Sequence, residues 1–205
     1  MVTITTTGSG EVRRLAERAT LTAYVSVASE DRDASIDGAT TLHNELVARA
    51  VRLRDAGAAT WHEASSPSTS VNRWDEQSGR RTEHVTTSSV RVRVCELSLV
   101  AELVDEFGRA GASVGVDWSL TDATRRELAR SMRTTAIADA RGRAADYAEA
   151  LGMSVRQVVA VREDDHGPIG PMMRAAMSTM DAGRADVTVP EIPVTVSVTG
   201  EFLAE

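Results

Sequence analysis

Lysine is absent: all 23 basic residues of the chain are arginine. That excludes the lysine form of the phosphate-binding P-loop, the kinase-type strand lysine and Schiff-base chemistry, because each needs a primary amine. Cysteine is almost absent as well. The lone Cys95 closes no intrachain disulfide, which argues against a fold built for an oxidising compartment. No apolar run of 18 residues exists to span a bilayer as a helix. Positive charge is in short supply, with 23 Arg against 30 Asp plus Glu and a net charge of −7. The deficit is spread along the chain, 12 arginines against 14 carboxylates in residues 1–102 and 11 against 16 in 103–205, so no basic tail hides in the average. This balance speaks against nucleic acid or an anionic membrane as partner. The opening Met1-Val2-Thr3-Ile4-Thr5 has neither a basic nor an apolar leader character and enters a strand-like alternation at once, which reads as cytoplasmic.

What is present is a chain of 205 residues, 42% hydrophobic, sufficient for a packed core. Residues 2–7 and 21–28 alternate apolar or β-branched with small polar residues, the period of half-buried strands. Residues 31–56 change to helical spacing through Ile36, Ala39, Leu42, Leu46 and Leu53, opened by Asp31 and Asp33 and closed by Gly57. Two strands follow, 60–73 and 82–94, around a polar turn. With that turn centred near Gln77 and Ser78, His62 is expected opposite Arg93 and His84 opposite Val71. A helix over 97–108, a strand over 113–120, a long helix from Asp122 to Leu151 N-capped by Thr121 or Asp122, a strand over 155–163 and a last strand over 187–202 complete the pattern. The order β-β-α-β-β-α-β-α-β-β predicts an α+β fold, a mostly antiparallel sheet with helices on one face, in which two loosely similar halves close one sheet. No linker separates them, so a single domain over 1–205 is expected, with a flexible Gly/Pro/Met segment at about 164–186.

Three stretches carry a resemblance to a known family. Thr5-Thr6-Thr7-Gly8-Ser9-Gly10-Glu11-Val12 is similar to an opening strand that ends G-x-G-x-V. The Ala-x3-Ala spacing across 136–152 resembles a long alanine-rich helix followed by a strand, and Val189-Pro190-Glu191-Ile192-Pro193-Val194 resembles a closing proline-then-strand segment. In this order and spacing they resemble the SIMPL-domain (YggE-like) family, which includes periplasmic immunogenic proteins. The resemblance implies an α+β fold, a tendency to assemble into rings, and an association with stress resistance or signalling. It implies no catalytic residues.

The residues themselves offer little chemistry. The four histidines, His43, His62, His84 and His166, share no metal-ligand spacing, so no metal site or cofactor is expected. Cys95 reads as a buried, inert thiol, with a redox sensor as the alternative. Gly8-x-Gly10 is half of a dinucleotide fingerprint and reads as a turn or bulge. The carboxylate pairs Asp105-Glu106 and Asp164-Asp165 read as solvated. Two features point to partners. Arg126, Arg130 and Arg133 fall at i, i+4 and i+7, a stripe suited to an anionic partner or to pairing with neighbouring acids. Met173, Met177 and Met180 share one helical face and suit self-association. The expected function is a non-enzymatic homo-oligomeric scaffold or stress-related binding module. The alternatives are a small-molecule or peptide-binding module using a helix–sheet groove, and a hydrolase whose site is assembled from distant residues.

Overall fold

The computed structural model describes residues 1–76, 79–164 and 187–205. The fold is α+β and every strand pairing is antiparallel, but the strands form two sheets rather than the single sheet expected, and the chain divides into two compact units. Alternation tells a strand which face is buried and leaves open which strand lies beside it.

One unit contains β1 (Val2–Leu15), α3 (Asp122–Ala150), β7 (Val155–Glu163) and β8 (Glu191–Ala204). Its sheet runs β1-β8-β7. β8 is central, and its Ile192, Val194, Val196, Val198, Phe202 and Ala204 are buried, the period-2 face that receives α3. The expected strand over 187–202 begins late because Pro190 has no N–H for the ladder. Thr121 caps α3 by accepting the Thr124 N–H, as its position suggests, and Gly152 leaves the helix at φ +70°. On α3 the Ala-x3-Ala residues Ala136, Ala140, Ala144 and Ala148 are buried, whereas Tyr147 and Leu151 are exposed.

The narrow face has a cause. Gly8 and Gly10 lie within β1, whose register with β8 is unbroken from Val2 to Leu15, so they form neither turn nor bulge. A Cβ on Gly8 would lie 2.8 Å from Ala140 Cα and closer still to Ala136 O and Ala140 N. One on Gly10 would lie 2.6 Å from Met132 O. The glycines are there because the helix backbone rests directly on the strand backbone. Thr6 Oγ1 then donates to Ala140 O at 2.7 Å, and Ser9 N donates to Asp139 Oδ2 at 2.9 Å.

The other unit contains β2 (Arg18–Ser29), α1 (Arg32–Asp55), β3 (Ala59–Ala64), β4 (Ser68–Glu76), β5 (Gly79–Val94), a 3-10 turn at Leu97–Leu99, α2 (Val100–Arg109) and β6 (Ser113–Ser119). The sheet order β3-β5-β2-β6, with α1 after the first strand and α2 after the third, is the double split β-α-β of ferredoxin-like folds, with β4 added alongside β5. Asp31 caps α1 and Gly57 ends it at φ +76°. The strand expected over 60–73 is two strands, interrupted at Ser65, Ser66 and Pro67, where proline removes a ladder donor. The interruption shifts the register by one residue. His84 faces Val71 as expected, but Arg93 faces Trp61, and His62 faces Val92. The buried face carries Leu21, Ala23, Val25, Val90, Val92, Val94 and Val114, covered by α1 over β2, β3 and β5 and by α2 over β2 and β6.

Candidate functional site

Within the second unit, α1 and β5 meet along a buried row of hydroxyls. Ser35 Oγ donates to Val27 O at 3.0 Å, lies 2.7 Å from Thr86 Oγ1, and Thr86 Oγ1 lies 2.9 Å from Thr69 Oγ1. Further along α1, His43 Nδ1 lies 2.9 Å from Ser88 Oγ, with both residues buried. A histidine on a serine is the start of a nucleophile–base arrangement, but the ring has no carboxylate hydrogen-bonded to it among the described residues, and the pair sits under a helix rather than in an open cleft.

On the opposite face of the same sheet the alternation is polar. The register places Trp61 and Glu63 of β3, Arg93 and Arg91 of β5, Thr20 and Thr22 of β2, and Asp117 of β6 on one surface. The guanidinium carbons of Arg91 and Arg93 lie 5.4 Å and 5.3 Å from the Trp61 ring centroid, a cation–π arrangement. Arg91 also pairs with Glu63 at 3.3 Å. Beside this cluster an open groove of about 400 Å³ is lined by Tyr24, Val25, Ser26, Ser65, Ser88 and Ser89, at the interruption between β3 and β4.

The residues singled out in the sequence are dispersed. Arg126, Arg130 and Arg133 are all exposed, and Arg133 is held by Glu163 through hydrogen bonds of 2.9 Å and 3.1 Å. Hydrogen bonding by Arg133 holds the Glu163 carboxyl below its ordinary value, and the same contact raises Arg133. A carboxylate depressed on folding stabilises the native state above its unfolded pKa of about 4.5 and loses that contribution as pH falls through the lower folded value. The stability gap between the wild type and Glu163→Gln is therefore expected to narrow between pH 7 and pH 3 in urea titrations. A gap that widens in acid would contradict the assignment.

Met173, Met177 and Met180 lie outside the described residues, as do His166, Asp165 and most of the 164–186 segment. Asp105 pairs with Arg109, Glu106 with Arg49, and Asp164 accepts from Thr199, so these carboxylates have partners. Among the described residues no group of three His, Cys, Asp or Glu converges as metal ligands.

Cys95 is exposed, contrary to the buried thiol expected, because β5 ends at Val94 and the next residue turns out of the sheet. Its Sγ lies 3.3 Å from the carbonyl oxygens of Gly57 and Ala58. Alkylation of Cys95 in the native protein is accordingly expected to run to completion without denaturant, as followed by intact mass. Protection until unfolding would show the thiol to be covered.

Comparison with known proteins agrees with the motif reading. The family model for SIMPL, described as protein of unknown function (DUF541), matches residues 4–202. The 26 kDa periplasmic immunogenic proteins of Brucella melitensis and Brucella abortus are each 31% identical over 105 residues, covering 51% of this chain and 42% of each relative. The chain thus aligns with under half the length of these curated relatives. No described helix is long and apolar enough to cross a membrane.

Proposed function

The chain belongs to the SIMPL family, whose function is unknown, and from that premise we propose that it acts as a non-enzymatic homo-oligomeric scaffold with a stress-related role. The observation that carries the reading is β7. It is an edge strand, and its Val158, Val159 and Val161 are 45%, 54% and 44% exposed. An exposed apolar edge strand attracts another chain. β7 carries two register shifts against β8, so its ladder is uneven and association through valine side chains is favoured over simple strand addition. Full burial of a valine contributes about 1.5 to 3 kcal/mol, so three exposed valines per subunit offer a sizeable driving force. The absence of lysine supports the reading too, because edge lysines are a common protection. Non-enzymatic action is supported by Asp105 and Glu106, both held in ion pairs, and by a His43–Ser88 contact that has no acidic orienter among the described residues. A cytoplasmic site of action is part of the proposal, supported by the single cysteine and tested by cell fractionation.

Light scattering coupled to gel filtration tests the assembly. A mass that is a multiple of 21.9 kDa is expected, and Val159→Lys should lower it toward one subunit with far-UV circular dichroism unchanged. Replacing Met173, Met177 and Met180 by Gln separates the contribution of the methionine segment from that of β7. A wild-type monomer at high micromolar concentration would overturn the proposal.

A further inference from the structure

The polar face of the five-stranded sheet carries a cation that no described residue matches. Arg93 and Arg91 are two residues apart on β5, and both lie over Trp61, but their surroundings differ. Arg91 is exposed and has the Glu63 carboxylate at 3.3 Å. Arg93 is partly buried; it makes no ion pair among the described residues, and its Nε is buried without a hydrogen-bond partner. A guanidinium offers five N–H donors in a rigid fork, and one left unsatisfied out of contact with water is costly unless something else accepts from it. Trp61 fixes the plane of the group without satisfying a single donor.

The neighbours say what would. Thr20 faces Arg93 directly across the β2–β5 ladder and supplies a hydroxyl. Arg18 precedes Thr20 by two residues, so it shares the same sheet face, and it makes no ion pair among the described residues. Two guanidinia without an ion pair among the described residues thus flank one threonine, in a protein whose net charge is −7. On the other side of Thr20 stands Asp117 of β6.

We propose that Arg93, with Thr20 and Arg18, is a receptor for the planar carboxylate of a small molecule, held edge-on to the guanidinium fork beside the Trp61 ring. The planar fork matches a carboxylate through two parallel hydrogen bonds, and the indole provides an apolar wall for the carbon skeleton of the ligand. A small ligand fits better than an acidic protein surface, because a large partner would also bring its charges against Asp117, Glu63 and the acidic chain as a whole. The inference is independent of assembly through β7, which belongs to the other unit.

The test is a titration of the full chain with benzoate, with inorganic phosphate and benzylamine in parallel, read by the Trp61 indole and Arg93 Nε–H resonances. Saturable shifts with benzoate are expected, weaker ones with phosphate and none with benzylamine. Arg93→Gln should weaken benzoate at least about tenfold, as expected for loss of a charge-assisted bidentate pair. Arg91→Gln should change it by less than about twofold, since that side chain is already matched by Glu63. Asp117→Asn should tighten binding by removing a like charge facing Thr20. Arg93→Lys keeps the charge and loses the fork, so it reports on the geometry should the glutamine variant fold poorly; an affinity equal to wild type would overturn the bidentate assignment. The proposal also fails if benzoate causes no saturable shift, if Arg93→Gln binds as well as wild type, or if phosphate binds more tightly than benzoate.

Discussion

Gly8→Ala is expected to unfold the three-stranded unit or to lower its melting temperature by at least about 10 °C, the size of shift expected when roughly 3 kcal/mol is lost from a small domain. The methyl group has nowhere to go. Its position falls on Ala136 O and Ala140 N, which are backbone atoms of a 29-residue helix, so no rotamer change relieves the overlap. Overpacking typically costs about 1 to 3 kcal/mol when side chains can adjust, and here the whole of α3 must lift off β1. Lifting the helix also breaks the Thr6 to Ala140 hydrogen bond and opens the core around Ile4, Val196, Val198 and Phe202. The companion change is Gly142→Ala, on the same helix but with nothing within 4 Å of the added methyl. It should raise stability by up to about 1 kcal/mol, the helix-interior preference for alanine over glycine. Thermal unfolding of the two variants, followed at 222 nm, checks both signs. A Gly8→Ala protein within about 0.5 kcal/mol of wild type would sink the account of direct backbone contact.

That contact shows where the sequence is silent. Glycine has two uses, access to positive φ and the absence of a side chain, and Gly8-x-Gly10 looks the same for either. The partner that decides between them, the Ala136/Ala140 stretch, lies about 130 residues away in the chain. Local signals were more legible. Asp31 and Thr121 are N-caps and Gly57 and Gly152 leave their helices with positive φ, since capping depends on neighbours within a turn. The strand over 155–163 is β7 to the residue. Pairing is a longer-range matter. The 60–73 stretch contains its own break at Pro67, and reading through it slips the register by one position. A slip of one exchanges the two faces of a strand, which is why His62 was expected against Arg93 where Trp61 stands. The wet face of β5 with Arg91 and Arg93 was legible from alternation, but the cation–π cluster that makes it a candidate site was hidden by that single residue.

Thr86→Val is the second large effect expected, a loss of about 1 to 3 kcal/mol from the five-stranded unit despite an almost identical side-chain shape. The direction of the hydroxyl row is fixed by proton counting. A carbonyl only accepts, so Ser35 Oγ spends its single proton on Val27 O. Ser35 therefore accepts from Thr86, and Thr86, its own proton used, accepts from Thr69. Thr86 is the middle link and is fully buried, so valine removes a donor and an acceptor at once, leaving the Thr69 hydroxyl without its acceptor and Ser35 Oγ without its donor. Ser35→Ala cuts the same row at its end, and it strands Thr86 rather than Thr69. If the row acts as a unit, the double variant should cost clearly less than the sum of the two single losses, because the second change removes a group already left unpartnered. Urea unfolding of the four proteins closes the cycle. Additive losses would mean that the two hydroxyls contribute independently rather than as one row.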